Sequence, residues 1–169
     1  MSRAPRTLLL SALLVLGASS PAAARQSVDG PTGVSSAVVR LPNEAAPVPF
    51  AVGEKLEYDV RFGKLKVGSG SMEVQELAQL RGRTTWHTVF RITGGIPLYR
   101  VNDRHESWFD VVTLTALRFY QDIDEGSYER KRRYEFFPER GMYQEGTKPE
   151  QPTVSAPLDD GSFLYFVRT

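Results

Sequence analysis

Leu56-Glu57-Tyr58-Asp59-Val60-Arg61-Phe62 alternates apolar and charged side chains without a break. Successive side chains of an extended chain point to opposite faces. Leu56, Tyr58, Val60 and Phe62 therefore share one face, and Glu57, Asp59 and Arg61 the other. A period of two with a single apolar face is the pattern of a half-buried antiparallel strand. Gly63-Lys64 interrupts it, and Met72 and Val74 resume with the opposite parity after Gly68-Ser69-Gly70-Ser71. That parity change places a turn or bulge between two strands. Arg81-Gly82-Arg83 marks another turn, and Trp86, Thr88, Phe90 and Ile92 form a second alternating face. Gly94-Gly95-Ile96-Pro97 ends it. Val101–Trp108 reads as a more polar strand, and Thr115, Leu117, Phe119, Gln121 and Ile123 line one side of the next. Asp124–Ser127 reads as a hairpin loop and Tyr128–Phe136 as its partner strand, ended by Pro138. About six strands joined by short loops predict an all-β antiparallel domain, a curved sheet that is an open half-barrel or sandwich-like. Asp159 or Asp160 is placed to cap a short C-terminal helix running to the end at Thr169, at the rim of that sheet, with a strand as the alternative.

The start of the chain has a different logic. Arg3 and Arg6 precede the apolar run Thr7–Gly17, and Ala-Ser-Ser-Pro-Ala-Ala-Ala follows at 18–24. A positive start, an apolar run and a small-x-small ending form a signal peptide. The run is about eleven residues, against the roughly 20 that a spanning helix needs, so a permanent membrane anchor is not expected. The expected organisation is a signal peptide at 1–24 cut between Ala24 and Arg25, a flexible linker at 25–48 rich in Pro, Ala, Ser and Gly, and a β-rich domain at 49–169. The destination is the periplasm or the exterior.

Arg3 and Arg6 are two of the 21 basic residues, which leaves 19 against 20 acids after the cut. That balance gives no electrostatic footprint for nucleic acid. The absence of cysteine rules out disulfides, thiol catalysis, thiol lipidation and Cys-based metal sites.

Four groupings invite chemistry. Asp103, His105 and Glu106 are metal-type ligands, but Glu106 faces away from the other two in a strand, and zinc needs three or four converging ligands. No metal is expected. Asp122, Asp124, Glu125 and Glu129 surround a hairpin tip, where carboxylates are ordinarily solvated turn residues rather than a glycosidase pair. Ser71 lies in a Gly-Ser run with no nucleophile elbow and no evident base, so no catalytic residue is assigned. The fourth grouping is the alternating strand in which Tyr128, Arg130, Arg132 and Tyr134 share a face with Phe136. If that face points inward, buried guanidinium groups need partners, either protein carboxylates or an anionic ligand such as a lipid headgroup. If it points outward, the arginines join cross-strand charge pairs and lie over aromatic rings.

Three segments in order resemble a known family. They are PFAVGEKLEYDVRFGKLKVGSGSMEV at Pro49–Val74, a middle stretch from Arg104 to Tyr134 with the HESWFD, RFYQDI and EGSY motifs and the RRYEF strand, and LDDGSFLYFVRT at Leu158–Thr169. The chain is similar there to the N-terminal half of the exported bacterial family called domain of unknown function 3108. The resemblance implies export, β structure and further strands beyond Thr169. It implies no reaction, because the family has no established one.

The preferred functional expectation is a cofactor-free, non-enzymatic exported protein that binds or carries a hydrophobic or amphiphilic ligand such as a lipid. The alternatives are a cell-envelope interaction module, and a hydrolase whose remaining site residues lie beyond Thr169. N-terminal sequencing of the exported form should begin at Arg25, and recovery of a membrane-bound product that retains Met1 would overturn the signal-peptide reading.

Overall fold

The computed structural model describes residues 41–169. The expected signal peptide, the Ala24–Arg25 cut and residues 25–40 lie outside the described residues. The order of elements is β1 (Lys55–Phe62), β2 (Leu65–Leu80), β3 (Arg83–Ile96), β4 (Tyr99–Asp110), β5 (Ala116–Glu125), β6 (Tyr128–Phe137), a 3-10 turn (Pro138–Arg140), β7 (Met142–Glu145), β8 (Gln151–Pro152) and α1 (Asp160–Phe166). Each strand pairs antiparallel with its neighbour in sequence, so the eight strands form one open meander. This is the expected all-β antiparallel sheet with a short C-terminal helix. Two more strands are present than periodicity counted, because β7 and β8 are too short to show a period.

Gly63-Lys64 forms the first turn, and the Gly-Ser run lies inside β2 rather than between strands. The parity change comes from a bulge: Val60 pairs with Gly68 and Arg61 with Lys66, leaving Val67 as the extra residue. The glycines serve a close backbone approach to β3. A Cβ on Gly68 would stand 2.4 Å from the Thr93 carbonyl oxygen, and one on Gly94 2.4 Å from that of Val67.

One sheet face carries the core. Phe50 is its hub, edge-on to Trp86 at 5.3 Å, to Phe109 at 6.4 Å and to Tyr165 at 5.0 Å between ring centroids. Met72, Val74, Val111 and Leu114 complete the buried cluster. Of the stretch read as a linker, residues 41–48 are described, and Ala45, Ala46 and Val48 pack against this cluster. The Ala46 N–H donates to the Val111 carbonyl at 2.8 Å. Leu56, Tyr58 and Val60 are half-buried on this face as the alternation predicts, but Phe62 is 79% exposed because it has already reached the hairpin tip.

The helix lies over β4 and β3, in the middle of the sheet rather than at its rim. Asp159 is its N-cap. One carboxylate oxygen accepts from the Gly161 and Ser162 N–H groups at 2.8 Å each, and the Ser162 hydroxyl accepts from the Asp159 N–H at 2.8 Å. The other oxygen accepts from the Ser107 hydroxyl on β4 at 2.8 Å, which seats the helix on the sheet. Gly161 permits that seat, since a Cβ there would lie 2.7 Å from the Ser107 Cβ. At the far end Arg168 grips Glu54 with two bonds of 2.7 and 3.0 Å.

Burial pushes the Asp159 carboxyl from its ordinary 3.8 up to about 7, against the bonds donated by Ser162, Ser107 and Gly161. A raised carboxyl favours the folded state while it is protonated. Its contribution is therefore fully present below about pH 4 and is lost as the pH climbs to about 7. The thermal midpoint should fall over that interval. Asp159→Asn keeps an acceptor for the cap and offers Ser107 an N–H, so it should flatten the profile; an unchanged slope would assign the effect elsewhere. Phe50→Ala should cost about 3–5 kcal/mol of unfolding free energy by denaturant titration, as a core aromatic truncation does. Phe62→Ala should stay within about 0.5 kcal/mol, since Phe62 packs on almost nothing.

Candidate ligand-binding site

The antiparallel register builds the site row by row. His105 on β4 pairs with Gln121 on β5, which pairs with Arg132 on β6. The neighbouring row is Ser107, Phe119, Tyr134 and Glu145, and Phe136 faces Tyr143 one step further. These residues lie on the face that carries α1. Their rings form a stacked ladder, with Phe119–Tyr134 at 6.2 Å, Tyr134–Phe136 at 6.4 Å and Phe136–Tyr143 at 6.3 Å. The ladder floors an open cavity of about 340 Å³. Gln121 and Arg132 stand on one side, and Thr153, Asp159 and Asp160 border it elsewhere.

Arg132 is the group that gives this cavity chemistry. One terminal N–H donates to the Tyr134 hydroxyl at 3.0 Å. Its Nε is buried and makes no hydrogen bond, although Glu145 Oε1 lies within ion-pair reach at 3.5 Å. That carboxylate is shared: Lys148 holds its other oxygen at 2.8 Å, and this bond drives the Glu145 carboxyl below its ordinary value. Arg132 thus carries a positive charge and an unsatisfied donor into a partly apolar space. A charged donor in that position favours an anionic acceptor.

His105 sits at the other end of the polar row, between the rings of Phe90 and Phe119 at 6.1 and 5.6 Å. Burial holds its imidazole below the ordinary value, opposed by Asp160 and Asp103. Its Nε2 is buried without a partner.

The four residues singled out from the sequence fall into two groups. Arg132 and Tyr134 line the cavity. Tyr128 and Arg130 are exposed toward the hairpin tip, where Arg130 donates to the Tyr128 hydroxyl at 3.3 Å. The aromatic face of β6 shares the side of the core. Phe136 was named on their face and His105 was weighed only as a metal-type ligand, while Phe119, Gln121 and Tyr143 were not tied to the grouping. Phe119 and Gln121 were legible as one strand face, but nothing in the sequence joins that face to β6 without a register.

The other groupings are spent on structure. Asp103 accepts from the Asp124 N–H at 3.0 Å, while Glu106 lies on the opposite face and binds His87 Nε2 at 2.9 Å. His87 is held at its other nitrogen by Glu76 and stacks on Trp108 at 4.2 Å. Among the described residues no group of three His, Cys, Asp or Glu side chains could hold a metal ion. The turn carboxylates pair outward, Asp122 with Lys131 and Asp124 with Arg100. A second cavity of about 460 Å³ is lined by Arg81, Arg83, Leu117, Pro138 and Glu139. Both cations are occupied: Arg81 bonds Glu135 and the carbonyls of Leu117 and Phe136, and Arg83 pairs with Asp110. That cavity offers an anion little.

A family model described as "Protein of unknown function (DUF3108)" matches residues 57–169. No curated protein and no solved structure matches the chain. The match spans β1 to α1 and more than half of the sequence, so the chain belongs to the DUF3108 family.

Proposed function

We propose that this chain is an exported, periplasmic, non-enzymatic binding or carrier protein for an amphiphile with an anionic head. The observation that carries this reading is the unsatisfied Arg132 Nε beside the Phe119–Tyr134–Phe136–Tyr143 ladder. An apolar body lies on the rings, and an anionic group accepts from Arg132 and from the Gln121 amide in the same polar row. The buried carboxylate bordering the cavity, Asp159, is committed to Ser107 and the helix cap, so the site reads as a receptor rather than a reaction centre. Export rests on residues 1–24 of the sequence. No helix among the described residues is long and apolar enough to cross a membrane.

A second reading has one supporting observation. Phe163, Phe166 and Val167 on the outer side of α1 are 51%, 46% and 60% exposed, a surface fit for a cell-envelope protein partner.

Calorimetric titration with dodecyl phosphate below its micellar concentration separates the readings. The parent should bind it, and dodecyl maltoside much less. Arg132→Gln should weaken dodecyl phosphate by about tenfold or more, the worth of one hydrogen bond to a charged group. Equal binding of both amphiphiles, or an unaffected Arg132→Gln variant, would sink the headgroup assignment.

A further inference from the structure

Three hairpins turn at the same end of the meander, and the tips of the first two are apolar. Phe62 and Leu65 flank the first turn and are 79% and 63% exposed. Ile96 and Leu98 belong to the second, at 59% and 105%. Tyr99 and Tyr128 stand at the bases of the second and third turns, 46% and 48% exposed. In a soluble antiparallel sheet, turns are ordinarily polar. These turns instead place large side chains where no residue of the sheet can cover them.

The tips share one edge. Gly68 pairs with Gly94, so Leu65 and Pro97 each lie three residues, about 10 Å, beyond the same rung. The second and third tips are fastened together. The Gly126 N–H donates to the Arg100 carbonyl at 2.7 Å, and the Tyr99 ring packs so closely on Gly126 that a Cβ there would stand 2.9 Å from it. The Tyr99 hydroxyl reaches Glu125 at 3.4 Å. The second tip therefore projects from a braced support rather than from an independent loop.

Charge decides what the rim meets. The stretches 61–66 and 96–100 contain Arg61, Lys64, Lys66 and Arg100 and no acid, whereas the third tip carries Asp124, Glu125 and Glu129, and Asp124 pairs with Arg100, so the basic part of the edge is the first hairpin and the side of the second that faces it. Asp59 bonds Arg61 and Lys66 from one side of β1. Protruding Phe, Leu and Ile, tyrosines just behind them and flanking cations are the order in which side chains meet hydrocarbon, interface and anionic headgroups. A protein partner offers no reason for that layering. We propose that this hairpin edge docks on an anionic phospholipid surface, with Phe62, Leu65, Ile96 and Leu98 entering the bilayer boundary. The docking stands apart from the amphiphile cavity and does not need it.

The test uses the full chain and vesicles of phosphatidylethanolamine with phosphatidylglycerol, against vesicles of phosphatidylcholine alone. In a Leu98→Trp variant the added indole reports on the edge itself, because Trp86 lies in the core and Trp108 on β4 far from this turn. Its emission should shift to the blue and be quenched by brominated lipid on the anionic vesicles. Replacing Phe62, Leu65 and Leu98 together by serine should lower sedimentation with those vesicles by about tenfold or more, at an unchanged thermal midpoint. Lys64→Glu with Lys66→Glu should weaken binding and reduce its salt dependence. Arg132→Gln should leave vesicle binding as it is, so failure of the cavity reading and of this one are told apart. Unquenched emission from the Leu98→Trp variant, or serine variants that sediment as the parent does, would overturn the proposal. The overturning result includes the case in which the edge captures a protein instead.

Discussion

The fold turns on covering one face of a wide sheet with very little material. An antiparallel meander can leave one face to water, but its apolar face has to be buried. Here the cover is a seven-residue helix and the segment leading to β1. Phe50 from that segment and Tyr165 from the helix meet over Trp86 and Phe109, and all four rings are buried. The helix is too short to hold its shape alone. Its position is imposed by the Asp159–Ser107 bond and the Arg168–Glu54 pair, one at each end. Those contacts place the cover over β3 and β4 and leave the β5–β7 side of the same face partly open.

That asymmetry makes the cavity. The aromatic rows of β5, β6 and β7 are built like core, yet they stop short of the helix, so Tyr134, Phe136 and Tyr143 remain half-buried. Two arginines show how the sheet treats buried charge. Arg81, held with a φ of 51° at the β2–β3 turn, spends its guanidinium on one carboxylate and two carbonyls and lies over the Phe137 ring at 4.6 Å. It is a structural clamp. Arg132 is similarly sheltered but retains a buried donor without a partner, next to a carboxylate already shared with a lysine. An unpaired buried donor costs stability of about 1–3 kcal/mol.

The alternation in β1, β3 and β6 made the strands and their faces legible, because period two survives wherever one face is buried and the other wet. The Asp159 cap was legible too, as a carboxylate before an apolar run. What the sequence hid is long-range register. The strand face of Phe119 and Gln121 and the strand face of Arg132 and Tyr134 are each readable, but only pairing sets them in adjacent columns. The placement of the helix was hidden for the same reason: Ser107 is an unremarkable serine in a polar strand until Gly161 lies against it. β7 and β8 are held by four and two register pairs, too few residues for any periodicity.

The strand β6 links the two functional readings. Tyr128, Arg130, Arg132 and Tyr134 recur at every second position, so their side chains form one line along a single face. The line begins at the hairpin edge, where Tyr128 and Arg130 are exposed and bonded to one another, and ends in the cavity, where Arg132 and Tyr134 repeat the same arginine-to-tyrosine bond. Two copies of one aromatic–guanidinium unit, one wet and one sheltered, offer an anionic amphiphile the same kind of contact at each end. That face passes from exposed at Tyr128 and Arg130 to half-buried at Arg132, Tyr134 and Phe136. The burial gradient from exposed Arg130 to half-buried Arg132 orders the two positions: an anionic headgroup would meet a lower dielectric, and so a stronger attraction, at Arg132. A docked edge would put the weaker contact nearest the membrane and the stronger one in the cavity.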